Sequence, residues 1–285
     1  MTILLLFLFT TFNQVFISHA SSSNSHVVTF DFPKFSSKSC SDGTLICLGT
    51  ATSNDGYLSL TTEPQNGNLE PTLSQMGRVL YRNPVFAWPA IISTKFTFRI
   101  SPYPNSACGV ADGMTFVMAP DNSPAPPGSA GGYLGIFKDG GTVVGQLAVE
   151  LDTYKNDFDI DNNHIGIDTT SITNPLAAKS LAGTGIDLQS GKDIKVQIDY
   201  NAWTNMLQVS MAYSSDPLVN ILNQPIVLSS IVPQSVYVGF TAATGGCSES
   251  HKIIDWSFTS IKSGSDEKLT ARSELPDNLK LSYAS

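Results

Sequence analysis

The sequence predicts an all-β protein built as an antiparallel β-sandwich. Short runs in which apolar and polar residues alternate recur along most of the chain, the period of a half-buried strand. Gly, Asn, Asp and Pro punctuate the intervals between them, and no window sustains a helical period over three turns. Many short strands at regular spacing argue for a sandwich rather than for alternating strands and helices.

Taken in order, Val27–Phe35 (VVTFDFPKF) opens the domain. Pro33 has no N–H to give a ladder and suits a sheet edge. Gly56–Leu60, Gly77–Tyr81, Ile92–Ile100 and Met114–Ala119 continue the series. Leu147–Asp152 then puts Ala148, Glu150 and Asp152 on one face and Leu147, Val149 and Leu151 on the other. His164–Asp168 repeats the pattern, with His164, Gly166 and Asp168 opposite Ile165 and Ile167. Ser180–Leu188 is too Gly-rich for a helix. Asp193–Tyr200, Met206–Tyr213, Ser235–Phe240 and Lys252–Phe258 close the set.

A chain of 285 residues permits one large β domain or two smaller ones. The net charge of −8 and the absence of any basic run argue against nucleic acid as a partner. Residues 1–20 are apolar and charge-free and end in Ser18-His19-Ala20, which fits a cleaved signal peptide. The missing Lys or Arg near its start keeps an uncleaved anchor open as an alternative. No later stretch is long and apolar enough to span a bilayer. The expected destination is therefore extracellular or vacuolar. Residues 21–262 form the expected domain, and the polar, patternless residues 263–285 read as a flexible tail or a propeptide.

Four cysteines, Cys40, Cys47, Cys108 and Cys247, allow three disulfide connectivities in an oxidising compartment. Cys40 and Cys47 flank a Ser41-Asp42-Gly43 turn signal, so a bridge across a hairpin is expected there, leaving Cys108 for Cys247. No C-x-x-C spacing suggests structural zinc. Asn122-Ser123-Pro124 fails the N-glycosylation pattern.

The chemistry concentrates in LAVELDTYKNDFDIDNNHIGID, from Leu147 to Asp168. Glu150 and Asp152 stand on one face of an apolar strand, which is costly unless a positive charge neutralises them. The loop beyond adds Asn156, Asp157, Asp159, Asp161 and Asn163 before His164. Oxygen donors suit calcium, and carboxylates with an imidazole suit a transition ion such as manganese. The competing reading is a solvated acidic hairpin. An EF-hand does not fit, because the central Gly and closing Glu are missing.

Val149, Glu150, Asp152, Thr153, Tyr154, Asn156, Asp159, His164 and Ile165-Gly166-Ile167-Asp168 together resemble the metal motif of the legume (L-type) lectin family. The resemblance covers roughly residues 27–261 and implies a jelly-roll sandwich of a flat sheet, a curved sheet and a small top sheet. It implies that Glu150, Asp152, Asp159 and His164 hold Mn2+, and that Asp152, Asp159, Asn156 and the Tyr154 carbonyl hold Ca2+. Asp161 is the rival for the place of Asp159, which has the family's spacing.

Three further loops match family motifs. In Ala111-Asp112-Gly113 the resemblance implies a cis peptide before Asp112, whose carboxylate accepts from two sugar hydroxyls. Alone, Asp112 reads as an ordinary turn aspartate. In Gly131-Gly132-Tyr133-Leu134-Gly135 it implies that the Gly132 amide donates to the sugar. This Gly-rich run is not a phosphate cradle, since no Lys-Ser/Thr comes after it. At the end of Gly239-Phe240-Thr241-Ala242-Ala243-Thr244-Gly245 it implies donation by the next two amides, those of Gly246 and Cys247. Five residues separate Gly245 from His251, a short loop that in the family goes with mannose or glucose. Asn156 is a further candidate acceptor for sugar hydroxyls, and Tyr154 is the candidate platform for the sugar's C–H face, its alternative being a core aromatic. Cysteine is a departure from most of the family.

The expected function is therefore metal-dependent, non-catalytic binding of glycans in a homodimer or higher homo-oligomer, with a defence role implied by the family. Two alternatives compete. A degenerate domain would bind protein or a hydrophobic ligand without sugar. A sandwich glycoside hydrolase would use carboxylates about 5 Å apart, but Tyr154 and Lys155 stand where its third carboxylate would be.

Overall fold

A computed structural model of the chain describes residues 26–63, 72–103, 109–138 and 145–262. The expected leader, the expected tail and Cys108 lie outside these residues. The alternating runs form β1 (Val27–Phe32), β2 (Leu45–Gly49), β3 (Thr52–Asn54), β4 (Tyr57–Ser59), β5 (Met76–Tyr81), β6 (Val85–Phe86), β7 (Ala90–Pro102) and β8 (Gly113–Ala119). They continue as β9 (Leu147–Asp152), β10 (His164–Asp168), β11 (Ala177–Ser180), β12 (Ile194–Asn201), β13 (Met206–Tyr213), β14 (Val219–Pro225), β15 (Ser235–Ala243) and β16 (Glu249–Lys262). The helices among the described residues are two single 3-10 turns, Gly131–Tyr133 and Leu228–Ser230. None is long and apolar enough to cross a membrane.

The strands make two antiparallel eight-stranded sheets. The first runs β14-β13-β12-β7-β16-β4-β3 with β1 beside β16, and the second β11-β10-β9-β8-β15-β5-β2 with β6 beside β15. Their inner faces meet in one core, as an antiparallel sandwich requires. Phe240 of the second sheet sits edge-on to Phe96 and Trp256 of the first, both at 4.9 Å between ring centroids.

The two sheets differ on their outer faces. In β12, buried and half-buried residues alternate as a solvated face dictates. In β8, β9 and β10 every residue is buried. The second sheet is covered from outside by Leu134, Ile136, Phe137 and Ile172, packed on Leu80, Val117, Ala119 and Ala148. The polar half of β9 and β10 is thereby enclosed rather than solvated.

Several boundaries differ from expectation. β1 ends at Phe32, because Pro33 cannot donate to the ladder, although β1 does pair with β16 alone. β7 and β16 run to 13 and 14 residues. Cys40 and Cys47 are bridged, but not across a hairpin. β2, which carries Cys47, pairs with β5, so the bridge ties a turn to a sheet edge.

Candidate functional site

The β9–β10 register sets His164 opposite Asp152 and Gly166 opposite Glu150. Side chains two apart on a strand share a face. Glu150, Asp152 and His164 therefore converge, with one ligand atom from each within 4.8 Å of the others. All three are at most 2% exposed. Gly166 makes the room, since a Cβ there would lie 2.2 Å from Glu150 Oε2.

His164 Nδ1 is 3.0 Å from the Asp161 carbonyl, which can only accept, so that nitrogen carries the hydrogen. In the neutral ring Nε2 then presents a lone pair to Glu150 Oε2, 3.6 Å away. Two lone pairs facing each other need a proton or a cation between them. Glu150 Oε1, Asp152 Oδ2 and Asn156 Oδ1 are buried without a hydrogen-bond partner. Burial and then the neighbouring carboxylates push the Asp152 pKa far up, and burial also raises that of Glu150. Buried carboxylates with unused lone pairs beside an imidazole are a donor set that fits divalent cations.

Asp159 lies outside the close triad. Its carboxylate accepts from the Asn156 amide at 2.7 Å, and its charge reaches Glu150, Asp152 and Asp112. Asp161 instead sits at the proton-bearing edge of His164, 3.6 Å from Nδ1. Tyr154 donates its amide to Asp152 Oδ1 at 2.8 Å, and the residue is 36% exposed, which excludes the core-aromatic reading.

The residues of the three further loops meet at the same end of the second sheet. The Ala111–Asp112 peptide is cis. The Asp112 carbonyl accepts from the Thr153 amide at 3.1 Å, which joins it to the exit of β9. The Asp112 side chain is 5% exposed, accepts from the Gly245 amide and keeps Oδ2 without a partner. Burial, and then the Glu249 charge, push its pKa up to about 7. The Gly131 amide donates to the Thr244 carbonyl at 3.1 Å, tying the Gly-rich loop to the loop that leads into Gly246 and Cys247. Gly132 packs so closely on Asn156 that a Cβ would stand 2.4 Å from Oδ1. Cys247 is buried and disulfide-bonded; Cys108, the partner expected for it, lies outside the described residues.

Three contributors carried no assigned role in the sequence reading. Glu249 is fully buried, accepts from Thr153 Oγ1 at 2.5 Å and from His251 Nε2 at 2.8 Å, and leaves Oε2 unpartnered. The alternation Glu249-Ser250-His251 hinted at it, but the preceding Gly245-Gly246 reads as loop. Asp168 is fully buried with both oxygens unpartnered, and burial, then the Glu150 charge, raises its pKa strongly. Its face was legible from the alternation with His164. Gln189 reaches the loop between Asp152 and His164 from just beyond a Gly-rich segment with no chemical motif.

Known proteins share this fold. The model of the legume lectin domain matches residues 27–274. Leucoagglutinating phytohemagglutinin from Phaseolus vulgaris is 36% identical over 262 residues, spanning 88% of this chain and 90% of its own. A lectin from Glycine max is 34% identical over 248 residues, 85% of this chain and 82% of the relative. Among solved structures, the Lotus tetragonolobus seed lectin superposes with a TM-score of 0.71 at 31% identity, over 83% of this chain and all 100% of that one. Lectin II from Ulex europaeus gives 0.69 at 32% identity, over 82% and 98%. These neighbours share the β-sandwich, and the family match spans both sheets and the loops of the site. The chain belongs to the legume lectin family.

Proposed function

We propose that this protein is a metal-dependent, non-catalytic lectin that binds mannose- or glucose-type glycans. The observation that carries the metal part is the buried Glu150–Asp152–His164 group with its unpartnered oxygens, hydrogen-bonded through Thr153 to the Asp112 loop. Glu150, Asp152, Asp159 and His164 would hold Mn2+, and Asp152, Asp159, Asn156 and the Tyr154 carbonyl Ca2+. The carbonyl on the Nδ1 edge of His164 supports Asp159 over Asp161, because it leaves only Nε2 for a metal. When bound, the ions supply positive charge that lets the buried carboxylates stay ionised.

Sugar hydroxyls would then meet fixed acceptors at Asp112 and Asn156 and donors at the Gly132, Gly246 and Cys247 amides. Tyr154 offers an exposed ring for the C–H face. Mannose or glucose rests on the short loop between Gly245 and His251. A galactose reading is the alternative, since solved relatives include lectin UEA-II complexed with galactose and winged bean acidic lectin complexed with methyl-α-D-galactose. The absence of catalysis rests on family membership alone. A domain without sugar binding is a further reading, because arcelin-5, a lectin-like defense protein from Phaseolus vulgaris, superposes with a TM-score of 0.66 at 28% identity. Secretion or vacuolar delivery fits the Cys40–Cys47 bridge, and residues 1–20 and 263–285 fit a leader and a tail. A homodimer or higher oligomer completes the proposal.

The test is retention on immobilised mannose and, in parallel, on immobilised galactose, each with calcium and manganese and then with chelator. Retention released by chelator and by methyl mannoside supports the proposal. Elution by galactoside alone moves the specificity to the second reading. Flow-through of folded, metal-loaded protein on both sugars overturns sugar binding.

A further inference from the structure

We propose that Gln189 is a positioning residue for the cation loop, closing it from outside by giving its two amide hydrogens to carbonyls at the loop's two ends. Its Nε2 lies 2.5 Å from the Thr153 carbonyl and 3.2 Å from the Asn162 carbonyl. Both partners only accept, so the group facing them is the NH2. Thr153 comes directly after Asp152, and Asn162 stands two residues before His164. One side chain thus bridges the exit of β9 and the entry of β10, the strands that supply the close triad.

The span between those carbonyls is held at its middle by Phe158, packed on the outer apolar layer, and near its end by the Asp161 carbonyl on His164 Nδ1, while its ends are closed by Gln189. Tyr154 is exposed, and Ile160 is 49% exposed. Asn156 and Asp159 brace each other, the Asn156 amide on Asp159 Oδ2 and the Asp159 amide on the Asn156 carbonyl. The segment that carries Gln189, by contrast, is rooted in the main core by Leu181, Ile186 and Leu188. It is also laced to Asn163. The Leu181 amide donates to the Asn163 carbonyl at 2.9 Å. Asn163 Nδ2 donates to the Ile186 carbonyl at 2.9 Å, and the Leu188 amide to Asn163 Oδ1 at 3.0 Å. A core-anchored strap therefore grips a loop whose clustered carboxylates repel one another. Groups that orient ligands in this way govern metal affinity without touching the metal.

The proposal rests on the cation reading of the site, and its test separates the two. Mn2+ and then Ca2+ are titrated calorimetrically into chelator-stripped full-length protein. Wild type is compared with Gln189→Met and with Gln208→Met, which loses only an exposed amide contact to Asn223. Gln189→Met should weaken cation binding roughly 10–100-fold, with the metal-free melting temperature and the sugar affinity at saturating cation both unchanged. Gln208→Met should match wild type. If Gln189→Met does not fold, Gln189→Ala carries the same comparison. Equal cation affinity in wild type and variant overturns the positioning role. So does a loss of affinity matched by an equal loss of metal-free stability, which would mark a structural role only. Wild type that binds neither cation overturns the cation reading, and this proposal with it.

Discussion

Replacing Asp112 with asparagine should make the metal-free protein more stable while removing its retention on sugar. The carboxylate is 5% exposed, and its pKa is raised from 3.8 to about 7, chiefly by burial. An acid whose folded pKa is raised binds its proton more tightly folded than unfolded. Stability is therefore fullest below the unfolded pKa and is lost as pH climbs toward the folded one. At about 1.4 kcal/mol per unit, the shift from 3.8 to about 7 costs the folded state roughly 4 kcal/mol at about pH 8, of which under half is already present at about pH 5. Asparagine keeps the shape and the acceptor for the Gly245 amide without the charge. Urea unfolding of chelator-stripped protein should show the variant gaining on wild type by roughly 2–3 kcal/mol between about pH 5 and about pH 8. Added calcium and manganese should shrink that gain, because a nearby cation stabilises the ionised form. A variant that gains nothing between those pH values, or that is less stable than wild type at the higher one, would refute the argument that Asp112 is held there for binding at a cost in stability.

Gly166→Ala should abolish cation binding, because its Cβ would stand 2.2 Å from Glu150 Oε2 and 3.3 Å from its Cδ and so displace the buried carboxylate; unchanged metal content by elemental analysis would contradict this. Phe240→Ala removes a ring that contacts Phe96, Phe116 and Trp256 and should cost roughly 3–5 kcal/mol in denaturant unfolding; a loss below about 1 kcal/mol would show that the core re-forms around the gap. Converting both Cys40 and Cys47 to serine opens a loop with a sequence separation of 7 and should lower stability by roughly 2–3 kcal/mol, read by the same unfolding assay, without altering sugar retention.

The sequence made the central strands and the triad legible for a single reason. Carboxylates at Glu150 and Asp152 interrupt an apolar strand at period two, and His164 opens the next strand on the matching face. Face assignment comes from the pleat alone, and the register then brings the three together. The strands that escaped are β2, β3, β6, β11 and β14. Four of these end their sheets, and β6 pairs off the main path. An edge strand is paired on one side only and carries weaker alternation, as in β14 with Asn220, Asn223 and Gln224 among its residues. Enclosure of the outer face of β8–β10 was not legible either. It depends on Leu134, Ile136 and Phe137 of the β8–β9 connection and Ile172 just after β10 folding back over the sheet from irregular segments that keep no period. The same holds for the strap, whose Leu181, Ile186 and Leu188 keep no period because each plugs the core from an irregular backbone.

Enclosure explains why the proposed cation and sugar sites would share one set of loops. On a solvated sheet face Glu150, Asp152 and Asp168 would be hydrated and indifferent to ions. Under the outer apolar layer they are desolvated together, and the charges of Glu150 and Asp159 add to the cost of ionising Asp152 and Asp168. Protons or cations must relieve that repulsion, and they compete for the same oxygens. Falling pH should therefore displace the ions before it unfolds the protein, since the protonated cluster is the more stable form when metal-free. The Thr153 amide passes the consequence on, because it holds the Asp112 carbonyl from the residue next to Asp152. A loop that relaxes when the cluster loses its ion carries Thr153 with it and leaves the Asp112 carbonyl without its partner, so that the Asp112 amide on the Ala243 carbonyl is the remaining backbone tie. Retention on sugar should thus fall with pH at a midpoint that moves lower as calcium and manganese are raised. A midpoint independent of cation concentration would mean that Asp112 titrates alone and that the two sites are not coupled.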